Sequence, residues 1–367
     1  MGCKMVSYKT MTAYELAQRL GSSDEPFLLD VREPDEVSEW SIREGYNIPL
    51  GQLAQRVDEI PKDREIATLC AAGARATTAA EFLASQGFEA TVIEGGMGAW
   101  GQVYDTAEIT QDELSIVQVR RRGKGCLSYL VGGEGKAFVI DPSLDIQVYV
   151  DIANKHGWQI EKIFDTHLHA DHLSGARELA KYTSAVLYLN PADTFNFDFE
   201  PLTDGEKFEL AGGHHFKVDT WYTPGHTNGS TVFEVSNLAL ISGDTLFADG
   251  VGRPDLADKV REFASNLYDS LHKLVTTLDD QVLVLPAHYS NSVKVIPGKV
   301  VGDTIGNLKT HLEPLSMTKE EFIDWAEEKI TPRPPNYAEI IRVNMGRYDG
   351  VLSEIRYLES GPNRCSA

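Results

Sequence analysis

One short stretch constrains this chain more than any other: Asp165-Thr166-His167-Leu168-His169-Ala170-Asp171-His172. Three imidazoles and a carboxylate crowd into positions 167–172 of a chain with only ten histidines. Neutral imidazole and carboxylate are ligands for borderline and hard divalent metals such as zinc, iron and manganese. The competing interpretation is a solvated loop with incidental histidines, and their density argues against it. Ile163-Phe164 enters the motif as the end of an apolar strand, and the helix-like run Leu173 to Tyr182 leaves it. The motif is therefore expected on a loop at a sheet edge.

Three later fragments repeat that setting. Thr223-Pro224-Gly225-His226-Thr227 places a histidine after a Pro-Gly turn, Ser242-Gly243-Asp244-Thr245 a carboxylate just past a strand, and Pro286-Ala287-His288 an imidazole likewise. Any one alone is weak, because a lone His or Asp in a turn is usually solvated or capping. Together, in the order His, Asp, His after an HxHxDH motif, they form a strong metal-site signal. The remaining histidines, His156, His214, His215, His272 and His311, fall in loop or helical contexts and receive no metal role. Cys126 opens a strand and is expected to be buried and inert. Gly132-Gly133-Glu134-Gly135 lacks a following helix, so it reads as a hairpin turn and not a phosphate loop.

A chain of 367 residues is too long for one ordinary core. Two domains are expected, 1–108 and 109–367, with a helical extension from about residue 300. Residues 101–112 lose hydrophobic periodicity and are expected to be the linker. Leu114 to Arg120 alternates as a half-buried strand should. The formal charge of −21 repels nucleic acid and anionic membranes, and no apolar run is long enough to span a bilayer. Four irregularly spaced cysteines argue against a disulfide framework and for a reducing, cytoplasmic setting. The start, MGCKMVSYKT, is not expected to act as a signal peptide or a myristoylation site, nor Cys365 as a prenylation site.

In the first hundred residues strands alternate with helices, which implies an α/β domain with a parallel sheet. The strand Ile66 to Leu69 runs into Cys70-Ala71-Ala72-Gly73-Ala74-Arg75, and a helix follows from about Ala76 to Gln86. Backbone N–H groups at such a junction form an anion-holding cradle that favours a thiolate. The small residues let the backbone curl round the sulfur, and Arg75 adds a positive charge. Cys70 and Arg75 are the catalytic candidates here; a buried structural cysteine is the bland alternative.

This half resembles the rhodanese family of sulfurtransferases. The likeness rests on Asp30-Val31-Arg32-Glu33, the Gly45 to Pro49 loop, the Cys70 loop, and Gly95-Gly96 with Trp100. It implies that Cys70 takes up a sulfane sulfur as a persulfide and passes it to a thiophilic acceptor. Ala71 and Asn47 depart from the basic residue and the histidine common at those positions. Phosphatases of similar fold hold one more residue between Cys and Arg, and the smaller ring here suits sulfur better than phosphate.

From about residue 113 to 300 the chain resembles the metallo-β-lactamase superfamily, which implies an αββα sandwich with the metal at one sheet edge. The candidate ligands by motif position are His167, His169, Asp171, His172, His226, Asp244 and His288. Two chemistries fit. In glyoxalase II-like hydrolases all seven hold two zinc-type ions, and a bridging hydroxide attacks a thioester or lactone. In persulfide dioxygenases only His167, His226 and Asp244 hold one Fe(II), leaving positions for O₂ and a substrate sulfur. His169, Asp171, His172 and His288 then remain without a second metal.

The attached rhodanese-like domain favours the dioxygenase. So do Gly250-Val251-Gly252-Arg253-Pro254-Asp255, similar to the stretch after the metal Asp in those enzymes, and the tail with its capped helix Met317 to Trp325 and Pro332-Arg333-Pro334-Pro335-Asn336-Tyr337. Arg253 is a candidate to grip a substrate carboxylate such as that of glutathione, against an ordinary ion pair. The expectation is a bifunctional sulfur enzyme whose partners are glutathione persulfide, O₂, thiosulfate and sulfite. A homodimer is expected, as is common for this class.

Overall fold

The computed structural model describes residues 8–210, 217–255, 259–290, 292–330, 333, 336–359 and 361. His214 and His215, and the prolines 332, 334 and 335, lie outside the described residues. The chain divides into two compact units: 1–105 with the short segments 121–125 and 294–297, and 106–120, 126–293 and 298–367.

The first unit is a five-stranded parallel sheet in the order β1-β5-β4-β2-β3. Its strands are β1 (Lys9–Met11), β2 (Phe27–Asp30), β3 (Tyr46–Asn47), β4 (Ile66–Leu69) and β5 (Ala90–Ile93). The helices α1 (Ala13–Arg19), α2 (Pro34–Glu39), α3 (Leu53–Arg56), α4 (Ala74–Ser85) and α5 (Gly96–Trp100) connect them. Thr12 starts α1 with a reciprocal cap, in which its hydroxyl accepts from the Glu15 N–H and Glu15 reaches back to the Thr12 N–H. β4 and β5 are buried along their whole length, as strands covered on both faces must be, so their apolar runs are continuous. One core on one face of the sheet gathers Leu29, Ile66, Val92 and the buried side of α4; Leu28, Ala67, Ile93 and α1 form another.

The second unit holds two sheets. The first contains β6 (Tyr104–Gln111), β7 (Leu114–Arg121), β8 (Cys126–Gly133), β9 (Lys136–Ile140), β10 (Gln159–Phe164), β11 (Val186–Leu189) and β12 (Glu200–Pro201), adjacent in reverse chain order. The second runs in chain order: β13 (Lys207–Glu209), β14 (Lys217–Tyr222), β15 (Thr231–Val235), β16 (Ala239–Gly243), β17 (Leu283–Pro286) and β18 (Asp303–Thr304). An aromatic layer joins them. Phe164 on β10 meets Phe233 on β15 and Phe208 on β13, each at 5.1 Å between ring centroids. The helices α6 (Gln147–His156) and α7 (Ala176–Thr183) contact β10 on the first sheet. On the second sheet, α8 (Val260–Thr277), α9 (Ile305–His311) and α10 (Lys319–Glu328) pack over Val232, Leu240 and Val284. The helix α11 (Tyr337–Asn344) follows. In α8 the buried residues Phe263, Ala264, Leu267, Leu271, Leu274 and Val275 recur at three- and four-residue spacing, the signature of a helix with one apolar stripe.

Two expectations are corrected. Residues 104–111 are not linker: they form β6 at the edge of the seven-stranded sheet. β7 is not half-buried either, because all eight of its residues are covered and Gln118 and Arg120 pair inside the protein. An alternating pattern gives no sign of whether a sheet's polar face is later roofed by other segments. Among the described residues no helix is long and apolar enough to cross a membrane.

Candidate metal centre and thiol site

The strand ends of the sandwich bring the scattered fragments together. His167 follows the exit of β10, His226 the turn after β14, and Asp244 the exit of β16. His167 Nε2 lies 3.6 Å from Asp244 Oδ2, and His226 Nε2 lies 3.4 Å from the same oxygen. All three side chains are buried, and none of these three atoms has a hydrogen-bond partner. Burying unpaired polar atoms costs about 1–3 kcal/mol each. Three that converge on one point make a donor set suited to a cation, two imidazole nitrogens and a carboxylate oxygen.

The other face of each imidazole is held. Thr166 Oγ1 donates to Asp141 Oδ2 at 2.9 Å, so toward His167 Nδ1, also at 2.9 Å, it acts as acceptor. The Nδ1–H tautomer that results leaves the Nε2 lone pair directed at the metal position. His226 Nδ1 donates to the Arg253 carbonyl at 2.9 Å with the same effect. Burial lowers the pKa of both histidines, and for His167 the neighbouring His169 lowers it further. Each imidazole is therefore neutral and able to coordinate.

Gly225 makes this placement possible. Its φ of +150° is a backbone conformation that side chains disfavour, and a Cβ there would lie 2.5 Å from Leu267. Asp193, which sequence reasoning did not single out, ties the two ligand loops together. Its carboxylate accepts from the Leu168 and Gly229 N–H groups, both at 2.9 Å, and from Thr227 Oγ1 at 3.0 Å.

The remaining motif residues separate into two further clusters. His169 offers Nε2 to Asp141 Oδ1 at 3.1 Å and lies 3.9 Å from Asp165, while its Nδ1 has no partner. Burial alone would lower the His169 pKa, but the charge and hydrogen bond of Asp141 outweigh it and hold it at about 9. Burial raises Asp165 to about 7. Asp171, His172 and His288 form the other cluster. His172 Nδ1 is 3.1 Å from Asp171 Oδ1, His288 Nε2 is 2.8 Å from Asp171 Oδ2, and His288 Nδ1 is 2.6 Å from Asp244 Oδ1. Cys126, whose strand position was legible, stands with this cluster: its sulfur and the three ligand atoms all lie within 4.8 Å of one another. Sequence reasoning gave it no neighbours because forty-five residues or more separate it from each of them.

Arg253 makes an ion pair inside the protein. It is 2% exposed, and Nε and Nη2 each donate to Asp255 at 2.7 Å. The guanidinium is held in a buried ion pair, and the residue's carbonyl meets His226. The helical tail has a role that its sequence did not announce. Asn344 at the end of α11 donates to the carbonyls of His169 and His172 at 2.9 and 2.8 Å, and its Oδ1 accepts from the Ser174 N–H at 3.0 Å. His156 stacks on Trp158, His272 stacks on Tyr268, and His311 bonds the Asn307 carbonyl, all away from these clusters.

In the first unit Cys70 sits between β4 and α4, 2% exposed, and its sulfur accepts from the Gly73 N–H at 3.0 Å. Gly73 adopts φ +104°, the left-handed turn that lets the loop curl around the thiol. Gly96 lies so close that a Cβ would sit 2.1 Å from the Cys70 carbonyl. Asn47 donates to the carbonyls of Asp30 and Arg32 and so fastens the neighbouring loop. Arg75 is not turned over to the thiol alone: its guanidinium grips Glu36 on α2 through two bonds of 2.6 and 2.7 Å. That hydrogen-bonded pair pulls Glu36 down to about 2.

Two family models match the chain. Residues 12–102 match the rhodanese-like domain family, and residues 121–288 match the metallo-beta-lactamase superfamily. A hydroxyacylglutathione hydrolase of Citrobacter koseri is 35% identical over 159 residues, 43% of this chain. The aligned region spans only 59% of that relative's length. Among solved structures, ETHE1 from Myxococcus xanthus superposes with a TM-score of 0.54 at 25% identity, covering 67% of this chain and 99% of its own. A metallo-beta-lactamase from Staphylococcus aureus subsp. aureus COL gives a TM-score of 0.59 at 25% identity, covering 64% of this chain and 73% of its own.

Proposed function

We propose that this chain, an N-terminal rhodanese-like domain followed by a metallo-beta-lactamase-fold domain, is a bifunctional sulfur enzyme: an iron-dependent persulfide dioxygenase joined to a sulfurtransferase. The observation that carries the reading is the convergence of His167 Nε2, His226 Nε2 and Asp244 Oδ2, each buried and without a hydrogen-bond partner. Those atoms would hold one Fe(II). When bound there, the iron supplies open positions for a persulfide sulfur and O₂ and the electron transfer that O₂ chemistry requires. In the overall reaction a thiol persulfide, O₂ and water give the thiol, sulfite and protons.

The chain's own residues prepare that site. Thr166 and the Arg253 carbonyl fix the ligand tautomers. Asp193 holds the ligand loops in register, and burial excludes bulk water from the ligand atoms. Asp171 hydrogen-bonds His172 and lies in close contact with His288, which hydrogen-bonds Asp244; these contacts let the three support the centre without a second ion. In the other unit Cys70 would accept and donate sulfane sulfur within its backbone cradle.

A second reading has its own support. His169 Nδ1 also lacks a hydrogen-bond partner, His288 Nε2 meets Asp171 Oδ2 in a close contact that is not a hydrogen bond, and the hydrolase of Citrobacter koseri is a relative. A binuclear zinc thioester hydrolase would use them. The two readings divide on one experiment: metal analysis of protein purified without oxygen, followed by oxygen-electrode and thioester assays. Near-stoichiometric iron with O₂ uptake that depends on glutathione persulfide, lost in Asp244→Ala, supports the dioxygenase. Two zinc ions with thioester hydrolysis and no O₂ uptake would overturn it.

A further inference from the structure

We propose that Cys70 draws its sulfur from a thiol persulfide in preference to thiosulfate; this rests on the sulfurtransferase reading of Cys70 given above. The argument begins with the charges around the thiol. Residues 71–74 are Ala, Ala, Gly and Ala, so their side chains offer no cation and no hydrogen-bond donor. Arg75 is the one basic residue of the 70–75 loop, and Glu36 takes both arms of its fork at 2.6 and 2.7 Å. Glu33, at the head of the same helix α2, also acts electrostatically on the Arg75 charge. Arg32 beside it is committed to Asp30 in a buried pair at 2.6 Å. The named charges next to the loop therefore sum to neutral or negative, on a chain whose net charge is −21.

What remains for an arriving donor is the cradle of backbone N–H groups, of which Gly73 already meets the sulfur. Such a cradle holds one negative charge well. Thiosulfate brings two negative charges in a compact ion to a site with no uncommitted side-chain cation in its loop, whereas the reacting end of a thiol persulfide carries at most one. Bare alanines at the mouth suit a thiol carrier better than a sulfonate: Ala71, Ala72 and Ala74 are all exposed.

The transfer is a single displacement. The Cys70 thiolate attacks the outer sulfur of R–S–SH, a new S–S bond forms to Cys70, and the old S–S bond breaks. The thiolate R–S⁻ leaves with the electron pair of that bond, and Cys70 is left as Cys70–S–SH. No external oxidant or reductant enters.

The test is single-turnover loading of the full chain without oxygen, which keeps persulfide oxidation idle. Cysteine persulfide and sodium thiosulfate are supplied at equal concentration, and the Cys70 peptide is followed by mass for the gain of one sulfur. Cys70→Ser provides the blank. Cysteine persulfide is expected to load Cys70 at least about tenfold faster. Raising the salt should speed thiosulfate loading, because screening relieves repulsion, and should change persulfide loading less. Glu36→Gln, which frees the Arg75 fork, should narrow the ratio between the donors. Equal or faster loading by thiosulfate, or thiosulfate loading that slows with salt, overturns the donor preference while leaving sulfur transfer intact. Loading by neither donor, with Cys70 still open to alkylation, overturns the sulfurtransferase reading itself.

Discussion

Replacing Thr166 with valine tests how the candidate centre is held. Valine keeps the shape and removes one hydroxyl, which serves two partners at 2.9 Å: Asp141 Oδ2 and His167 Nδ1. Asp141 keeps the Thr166 and His169 contacts on its other oxygen, at 2.6 and 3.1 Å, so the loop retains its backbone anchor. His167 loses the group that fixes its tautomer. Outer-sphere partners of this kind contribute about 10- to 100-fold in metal affinity. The expected result is iron binding weakened by that factor in anaerobic competition with a chelator, with Thr166→Ser restoring it to within about threefold, since serine keeps the oxygen. Each buried atom left unpaired also costs about 1–3 kcal/mol, so the valine protein should unfold at lower urea. A valine variant that binds iron as tightly as the parent would refute the tautomer argument, whatever its stability.

Other perturbations separate the supports of the two sites. Gly225→Ala puts a methyl 2.5 Å from the Leu267 backbone and should displace His226; iron per chain should fall, with about 2–4 kcal/mol lost in denaturant melts. Asn344→Leu removes two donors from the carbonyls of His169 and His172 and should lower metal retention during dialysis without touching any ligand. Glu36 has a folded pKa of about 2 against an ordinary 4.5, so the stability it contributes is present above 4.5 and disappears as the pH falls toward 2. Glu36→Gln should flatten that acid limb of the full chain's titration, modestly, because the pair with Arg75 is one-third exposed. Chelation of iron should end persulfide-dependent O₂ uptake, and Fe(II) but not Zn(II) should restore it.

The parts of this protein that local chemistry dictates were readable in advance. The parallel first unit and the two-sheet second unit follow from strand and helix periodicity, and the capped helix after Met317 is present as α10. The metal-type residues stood out because each follows a strand, where side chains leave the sheet. Their supports did not stand out. Asp141 lies 25 residues from Thr166, and Asn344 lies 175 from His169, so no spacing rule links them. Asp141 also follows a strand, β9, and that shared position was the one signal that could have found it. The edge strand β6 was missed because its polar residues face outward and resemble a linker. For Arg253 the sequence left a substrate grip and an ion pair open, because a motif gives a residue's identity and not its partner; the pair with Asp255 becomes evident only once both are buried.

Thr166 stands where the two sheets meet. Its N–H bonds Asp141 at the end of β9, its carbonyl accepts from the Thr231 N–H on β15, and Gly243 of β16 leaves no room for a methyl against it. The same residue therefore closes the sandwich and aims His167. With only one sheet assembled, His167 would have neither His226 nor Asp244 beside it.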